Sequence, residues 1–274
     1  MGRRLFCELS PITYRLSVLR CRLFRHMKNM IQPCNMARSI NRCHLPYLIY
    51  SHNSLIRRKL GNSDMRLQEN KAVNLALAAP KVNGVLIRPG ETFSFWALVG
   101  NCTAKKGYLE GLTISSGKAQ SGIGGGLCQF TNLIHWMVLH SPMTITEHHH
   151  HDQIDLFPDF GRQIPFGTGT SIFYNYLDYR FFNPTNTTYQ LLVHTDGKYL
   201  RGELRADKKP DVKYHIKCED EFFSREGNEV YRNGEIFRES IDVHTGQRIC
   251  RELLKKNHAR VLYDTTTLLI RQEQ

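Results

Sequence analysis

The chain reads as an α+β protein, with a helical or mixed front half and an antiparallel, β-rich back half. Two observations predict this. Apolar residues recur at helical spacing in segments that end at Pro80 and Pro142, and from Thr170 onward the pattern changes to alternation of aromatic and β-branched residues. Turn pairs such as Asp196-Gly197 punctuate that second half and fit antiparallel hairpins. With 274 residues, 41% of them apolar, the chain is long enough for a sizeable core.

The elements follow in order. Residues 1–43 form a basic arm, with nine lysines and arginines against the single acid Glu8, and so hold +8 of the net +12. Within the arm, Leu16, Leu19, Leu23, Met27 and Met30 recur at helical spacing with Arg15, Arg20, Arg22 and Lys28 between them. That pattern fits a basic amphipathic helix at a membrane surface, or a terminal helix that is partly disordered or docks on the core. The globular part begins at His44-Leu-Pro-Tyr-Leu. Met65 to Leu77 predicts an amphipathic helix stopped by Pro80, and Val85-Leu-Ile a short buried strand. Arg88-Pro-Gly-Glu91 is a turn that leads into the apolar Phe93-Ser-Phe-Trp96.

Gly124, Gly125 and Gly126 make a flexible loop before a second helix, Leu127 to His140, which ends at Ser141-Pro142. Thr144 to Glu147 reads as a strand running into the histidine run His148–His151. Strands are then expected at Ser171–Tyr174, Tyr176–Phe181, Tyr189–Val193 and Tyr199–Leu204, with a core domain spanning 44–206. A β-rich extension, 207–274, continues as short strands with turns at Gly227-Asn228, Asn233-Gly234 and Thr245-Gly246.

Cys128 falls in the first turn of the second helix, beside free N–H groups and the positive end of the helix dipole. Such a position favours thiolate over thiol and suits a nucleophile. The plainer reading is a buried small hydrophobe after a tight glycine turn. A nucleophile needs a base, and the histidine run lies roughly 20 residues downstream, beyond a strand that can return along the helix. His149 and His151, two apart on a strand, also fit a metal site with Cys128 or Glu147, and an exposed loop is the third option. The eight cysteines show no C-x-x-C pair, and no phosphate-binding loop ends in Lys-Ser/Thr, so an NTPase is excluded. Arginines interrupt every apolar run near the N-terminus, and no transmembrane-length span follows. The expected setting is therefore cytoplasmic, at most touching the membrane, with neither nucleic acid nor a cofactor as partner.

Several strings coincide with one family. Leu45-Pro-Tyr-Leu, Leu86-Ile-Arg-Pro-Gly-Glu-Thr-Phe-Ser-Phe-Trp96, Gly111-Leu-Thr, Gly124-Gly-Gly-Leu-Cys-Gln129, His151 and Tyr176-Leu-Asp178 resemble the VanW family. The likeness runs from about Leu45 to the β-rich end. It implies a bacterial accessory protein linked to glycopeptide resistance and the cell envelope, without an established activity. It singles out His151 as the base for Cys128, with His149 next. Gln129 and backbone N–H groups would stabilise an oxyanion, and a peptidoglycan-related molecule would be the substrate. A binding or scaffold protein at the membrane face is the alternative. The glycines 124–126, Arg88 and Asp178 are candidate substrate contacts, although Asp178 also fits an arginine pair on a sheet and Arg88 a surface turn. One departure stands out: many family members carry an Asp in a Gly-x-Asp-Ala-Thr string where this chain has Gly169. Asp152, Asp155, Asn175 or Asp178 would have to replace it.

Overall fold

A computed structural model describes residues 5–31, 34–58, 64–115, 118–150, 153–159 and 163–271. Helix α1 (Pro11–Ile31) starts at a proline, whose fixed φ suits a first helical position, and none of its side chains is buried. Ser10 caps it: the Thr13 N–H donates to Ser10 Oγ (3.2 Å), and the Ser10 N–H donates back to Thr13 Oγ1 (2.9 Å). Residues 34–46 then cross the body, burying Ala37 and bridging Met36 to Thr92 and Ile40 to Val85. Part of the basic arm thus lies in the core.

Strand β1 (Tyr47–Leu55) precedes helix α2 (Met65–Val82), where the Asp64 carboxylate accepts the Arg66 N–H (2.8 Å). The helix runs through Pro80 instead of stopping before it. Proline forfeits one backbone bond there, and burial of Leu75, Ala78, Ala79 and Val82 outweighs that loss. Next come β2 (Val85–Ile87), β3 (Thr92–Ser94) and the short helix α3 (Phe95–Val99), which begins because Ser94 Oγ accepts the Ala97 N–H (3.2 Å). The hairpin β4 (Glu110–Ser115)–β5 (Lys118–Ile123) leads through the glycine loop into α4 (Cys128–Leu139). β6 (Thr144–Glu147), β7 (Ile154–Asp155), β8 (Arg180–Phe182), β9 (Tyr189–Thr195) and β10 (Tyr199–Ala206) follow. The chain ends in β11 (Val212–Glu226), β12 (Glu229–Asp242), β13 (Arg248–Val261) and β14 (Ile270–Arg271).

Four sheets result: β1-β10-β9-β2, β3-β8-β6, β4-β5 and β14-β11-β12-β13-β7. The first is antiparallel throughout, and α2 packs on β9 while α4 packs on β1 and β10. Leu75, Val82, Phe130, Ile134, Leu191 and Leu204 are fully buried between these layers. The architecture is α+β, as the sequence predicts.

Four expected elements differ. Ser171–Tyr174 and Tyr176–Tyr179 form no strand, because Phe173 and Leu177 close a tight turn on each other (Phe173 N–H to the Leu177 carbonyl, 2.8 Å) with Asn175 at a φ of +55°, while side chains and a loop carbonyl claim N–H groups on either side. Asn132 Oδ1 takes Thr170 N–H (2.6 Å), the His149 carbonyl takes Ser171 N–H (2.6 Å), and Glu147 takes Asp178 N–H (2.9 Å). The C-terminal strands β11–β13 are long, 14 or 15 residues each. Asn233-Gly234 is not a turn but lies inside β12, opposite an irregularity of β11 where Asp220 has a φ of +49°. Glycine there answers a bulge.

Candidate functional site

The glycine loop is packed, not flexible. Gly124 and Gly126 have φ of +76° and +88°. A side chain on Gly125 or on Gly111 would strike the other's backbone, so β4 and the loop touch main chain to main chain. Asn74 of α2 locks the contact, its Nδ2 donating to the carbonyls of Gly125 (2.9 Å) and Leu109 (3.0 Å). Gly126 is held bare by the stem of Lys71, which a β-carbon would displace.

This packing aims the start of α4 into a cavity of about 290 Å³. Cys128, Gln129 and Asn132 line it from α4, Gln68 and Lys71 from α2, and Leu112 and Ile114 from β4. His150 and the loop carrying Phe157, Phe166 and Thr170 complete it. Cys128 is half-buried at the first position of its helix. Burial pushes its thiol up, against backbone hydrogen bonds from Ile172 and from its own N–H. The acidity expected from the helix start is therefore overridden by desolvation. Gln129 commits its amide N–H groups to Ser54 Oγ and the Leu55 carbonyl (2.8 Å each). Only its acceptor oxygen is left, which does not suit an oxyanion donor.

The histidines separate. His148 stacks on buried His135 (4.4 Å between centroids), and its Nε2 meets the Gly169 carbonyl (2.8 Å). His135 contacts the Tyr179 hydroxyl (3.1 Å), and burial together with His148 holds its pKa well below the usual range. His149 faces Glu147 (3.0 Å) and does not line the cavity. His150 does line it, with Lys255 Nζ at 3.3 Å from its Nδ1. Since an ammonium only donates, that contact keeps Nδ1 an acceptor and the ring proton on Nε2. His151 and Asp152 lie outside the described residues.

Gly169 sits against His150 Nε2, where a β-carbon would collide with the imidazole. The ring thus fills the place of the side chain that the family string implies. Of the described alternatives to that Asp, Asp155 lines the cavity but is buried against Arg232 (3.3 Å) and the Tyr263 hydroxyl (3.0 Å). Asn175 bonds His26 (2.9 Å). Asp178 accepts from Ser94 (2.5 Å), the Trp96 N–H (3.1 Å) and Arg180 (2.8 Å), away from the cavity. Arg88 lies in its surface turn, bonding Ser39 (2.8 Å) and, through its N–H, Glu91 (2.8 Å). Glu147, the proposed metal partner of the histidines, is engaged by Arg25 through two bonds (2.5 and 2.7 Å). Among the described residues no three His, Cys, Asp or Glu side chains converge as a metal centre.

The residues that sequence reading missed are Lys71, Gln68, Asn132 and His150. The first two carried a signal: both are polar and share the helical face of Leu75, Ala78 and Val82. Lys71 is buried, and its Nζ donates to Gln68 Oε1 (2.6 Å). Desolvation, with Arg58 and Arg57 nearby, brings its pKa down to about 7.

Residues 70–205 match a family model described as "VanW like protein". The chain is 36% identical to vancomycin B-type resistance protein VanW of Enterococcus faecalis over 84% of its own length and 83% of that protein. It is 28% identical to the uncharacterized protein YoaR of Bacillus subtilis over 43% of its length and 37% of that protein. No solved structure matches.

Proposed function

Because the chain belongs to the VanW family, we propose that it is an accessory protein of vancomycin resistance with a thiol site. Cys128 acts there on a peptidoglycan-related peptide by acyl transfer or amide hydrolysis. The observation that carries this reading is the placement of Cys128: first residue of α4, on a cavity wall, with the Ile172 backbone favouring its thiolate against burial. In the reaction the sulfur bonds the amide carbonyl carbon, the C–N bond breaks, and the thiol proton leaves on the amine. Water or a second amine then releases the acyl group from the thioester and returns the proton to sulfur. Two described histidines, His150 and His52, line the cavity, and His151 keeps the role that the family string gives it. The raised thiol pKa means that proton transfer belongs to the occupied site, not to the free protein.

The test is intact-mass analysis after incubation with peptidoglycan stem peptides. A covalent acyl adduct on the native chain, absent from Cys128→Ala, is expected. If Cys128→Ala restores resistance to a deletion strain as well as the native chain does, the thiol reading fails.

A second reading, a scaffold seated on anionic lipid, draws on α1. Ile12, Leu16, Leu19, Leu23, Met27 and Met30 form an exposed stripe along it, flanked by Arg15 and Arg20. No described helix is long and apolar enough to cross a membrane. Flotation with phosphatidylglycerol vesicles but not with phosphatidylcholine vesicles is expected, and loss of flotation in Leu19→Glu/Leu23→Glu. Flotation that ignores either change rules out this seat.

A further inference from the structure

We propose that Lys71 and Gln68 form a carboxylate-binding subsite in the cavity that Cys128 lines. Lys71 is 6% exposed and Gln68 1% exposed, yet both line the cavity. The Gln68 carbonyl oxygen is used twice, by Lys71 Nζ (2.6 Å) and by the Arg58 N–H (3.4 Å). Its Nε2 has no hydrogen-bond partner among the described residues. Neither has Lys71 a carboxylate partner among them, since its hydrogen bond goes to a neutral amide. A buried ammonium next to a buried, unsatisfied amide donor is costly unless something anionic arrives.

Among the described residues the cavity holds no better candidate of its own. Asp155, its buried acid, is turned to Arg232 and Tyr263. The pKa of about 7 supports the same conclusion, because it reflects burial and two arginines without an opposing charge.

The ligand chemistry follows from the donors. The ammonium and the amide offer their N–H groups to one small acceptor; Arg58 also lines the cavity, and Leu112, Ile114, Phe157 and Phe166 give it apolar wall. The two oxygens of a carboxylate match the ammonium and the amide one to one, whereas a phosphate brings more oxygens than these two donors serve. Lys71 lies against Gly126, two residues before Cys128, so the subsite adjoins the thiol along the chain. Only the peptide nature of the rest of the ligand relies on the thiol reading.

Calorimetric titration of the full chain with N-acetyl-alanyl-alanine and with its C-terminal amide tests this, at a pH below the Lys71 value of about 7. The acid should bind at least about tenfold more tightly than the amide. Lys71→Met should bind both alike while melting no lower than the native chain, which shows that it folds. Cys128→Ser should keep the preference for the acid. If it does while the native chain forms no acyl adduct, the thiol reading falls and the subsite stands. Equal binding of acid and amide by the native chain, or a preference retained in Lys71→Met, overturns the subsite. Inorganic phosphate displacing the acid at equal concentration overturns its assignment to carboxylates.

Discussion

Cys128 and Lys71 share a cavity in which burial moves both away from their charged forms. Two pH effects follow. Iodoacetamide labelling of Cys128 in the free protein should be slower at neutral pH than labelling of a free cysteine, and should climb through the alkaline range. Peptide mass spectrometry after timed labelling measures it, and fast neutral labelling would contradict the raised thiol. Lys71 acts on stability. Its folded value is about 7 and its ordinary value 10.5, so between these the unfolded chain holds a proton that the folded chain has released. Stability from this group therefore rises with pH across that window and is lowest below it, where a charged lysine stays buried. Urea midpoints of the native chain should gain on those of Lys71→Met as pH increases from about 7 to about 10. Midpoints that run in parallel would show Lys71 to be solvated. The position of Lys71 was legible as a polar residue on an apolar helical face. Burial of the thiol was one of two readings of Cys128, but the Ile172 backbone beside it was not legible, being distant in sequence.

At the scale of elements, α1 shows what periodicity reveals and what it hides. Its helix was readable from the leucine and methionine spacing, as α4 was from Leu127 to His140 and the β9–β10 hairpin from Asp196-Gly197. Docking of α1 on the core was among the readings, but its partners were not, since they lie more than a hundred residues away: Arg25 meets Glu147 and the Tyr176 carbonyl, Arg22 the Tyr174 carbonyl (3.3 Å), His26 Asn175 and Asn29 Arg180. Composition likewise missed the passage of α2 through Pro80, and it misread Asn233-Gly234, because a bulge and a turn demand the same glycine. Arg25→Ala should release α1, since it removes the two-bond partner of a mostly buried Glu147. Hydrogen exchange of residues 11–31 should speed up while α4 stays protected. Unchanged exchange would place the anchor elsewhere.

For the whole molecule, the C-terminal sheet backs the cavity loop, while among its described residues only those of the short strand β7, Ile154 and Asp155, line the cavity itself. Asn257 Nδ2 holds the Phe166 carbonyl (3.0 Å), and Lys255 reaches the Gly167 carbonyl (3.2 Å) and His150. Arg232, buried in β12, meets Asp155 (3.3 Å), Glu221 (2.6 Å) and Asp159. Arg232→Met strips Asp155 of a buried counter-charge and should cost roughly 3–5 kcal/mol in thermal or urea unfolding, with its neighbours loosening the cavity loop. A loss under about 1 kcal/mol would mean that the sheet and the loop are not joined there. Glu147 carries a different consequence. One carboxylate answers α1 through Arg25 on one side, and His149 and the Asp178 N–H on the other. Whatever draws α1 outward must therefore loosen the segment that carries His150. A ligand that steadies that segment must tighten α1 by the same factor, because such coupling is reciprocal. Vesicle affinity measured with and without a cavity ligand would then read the two as a single equilibrium.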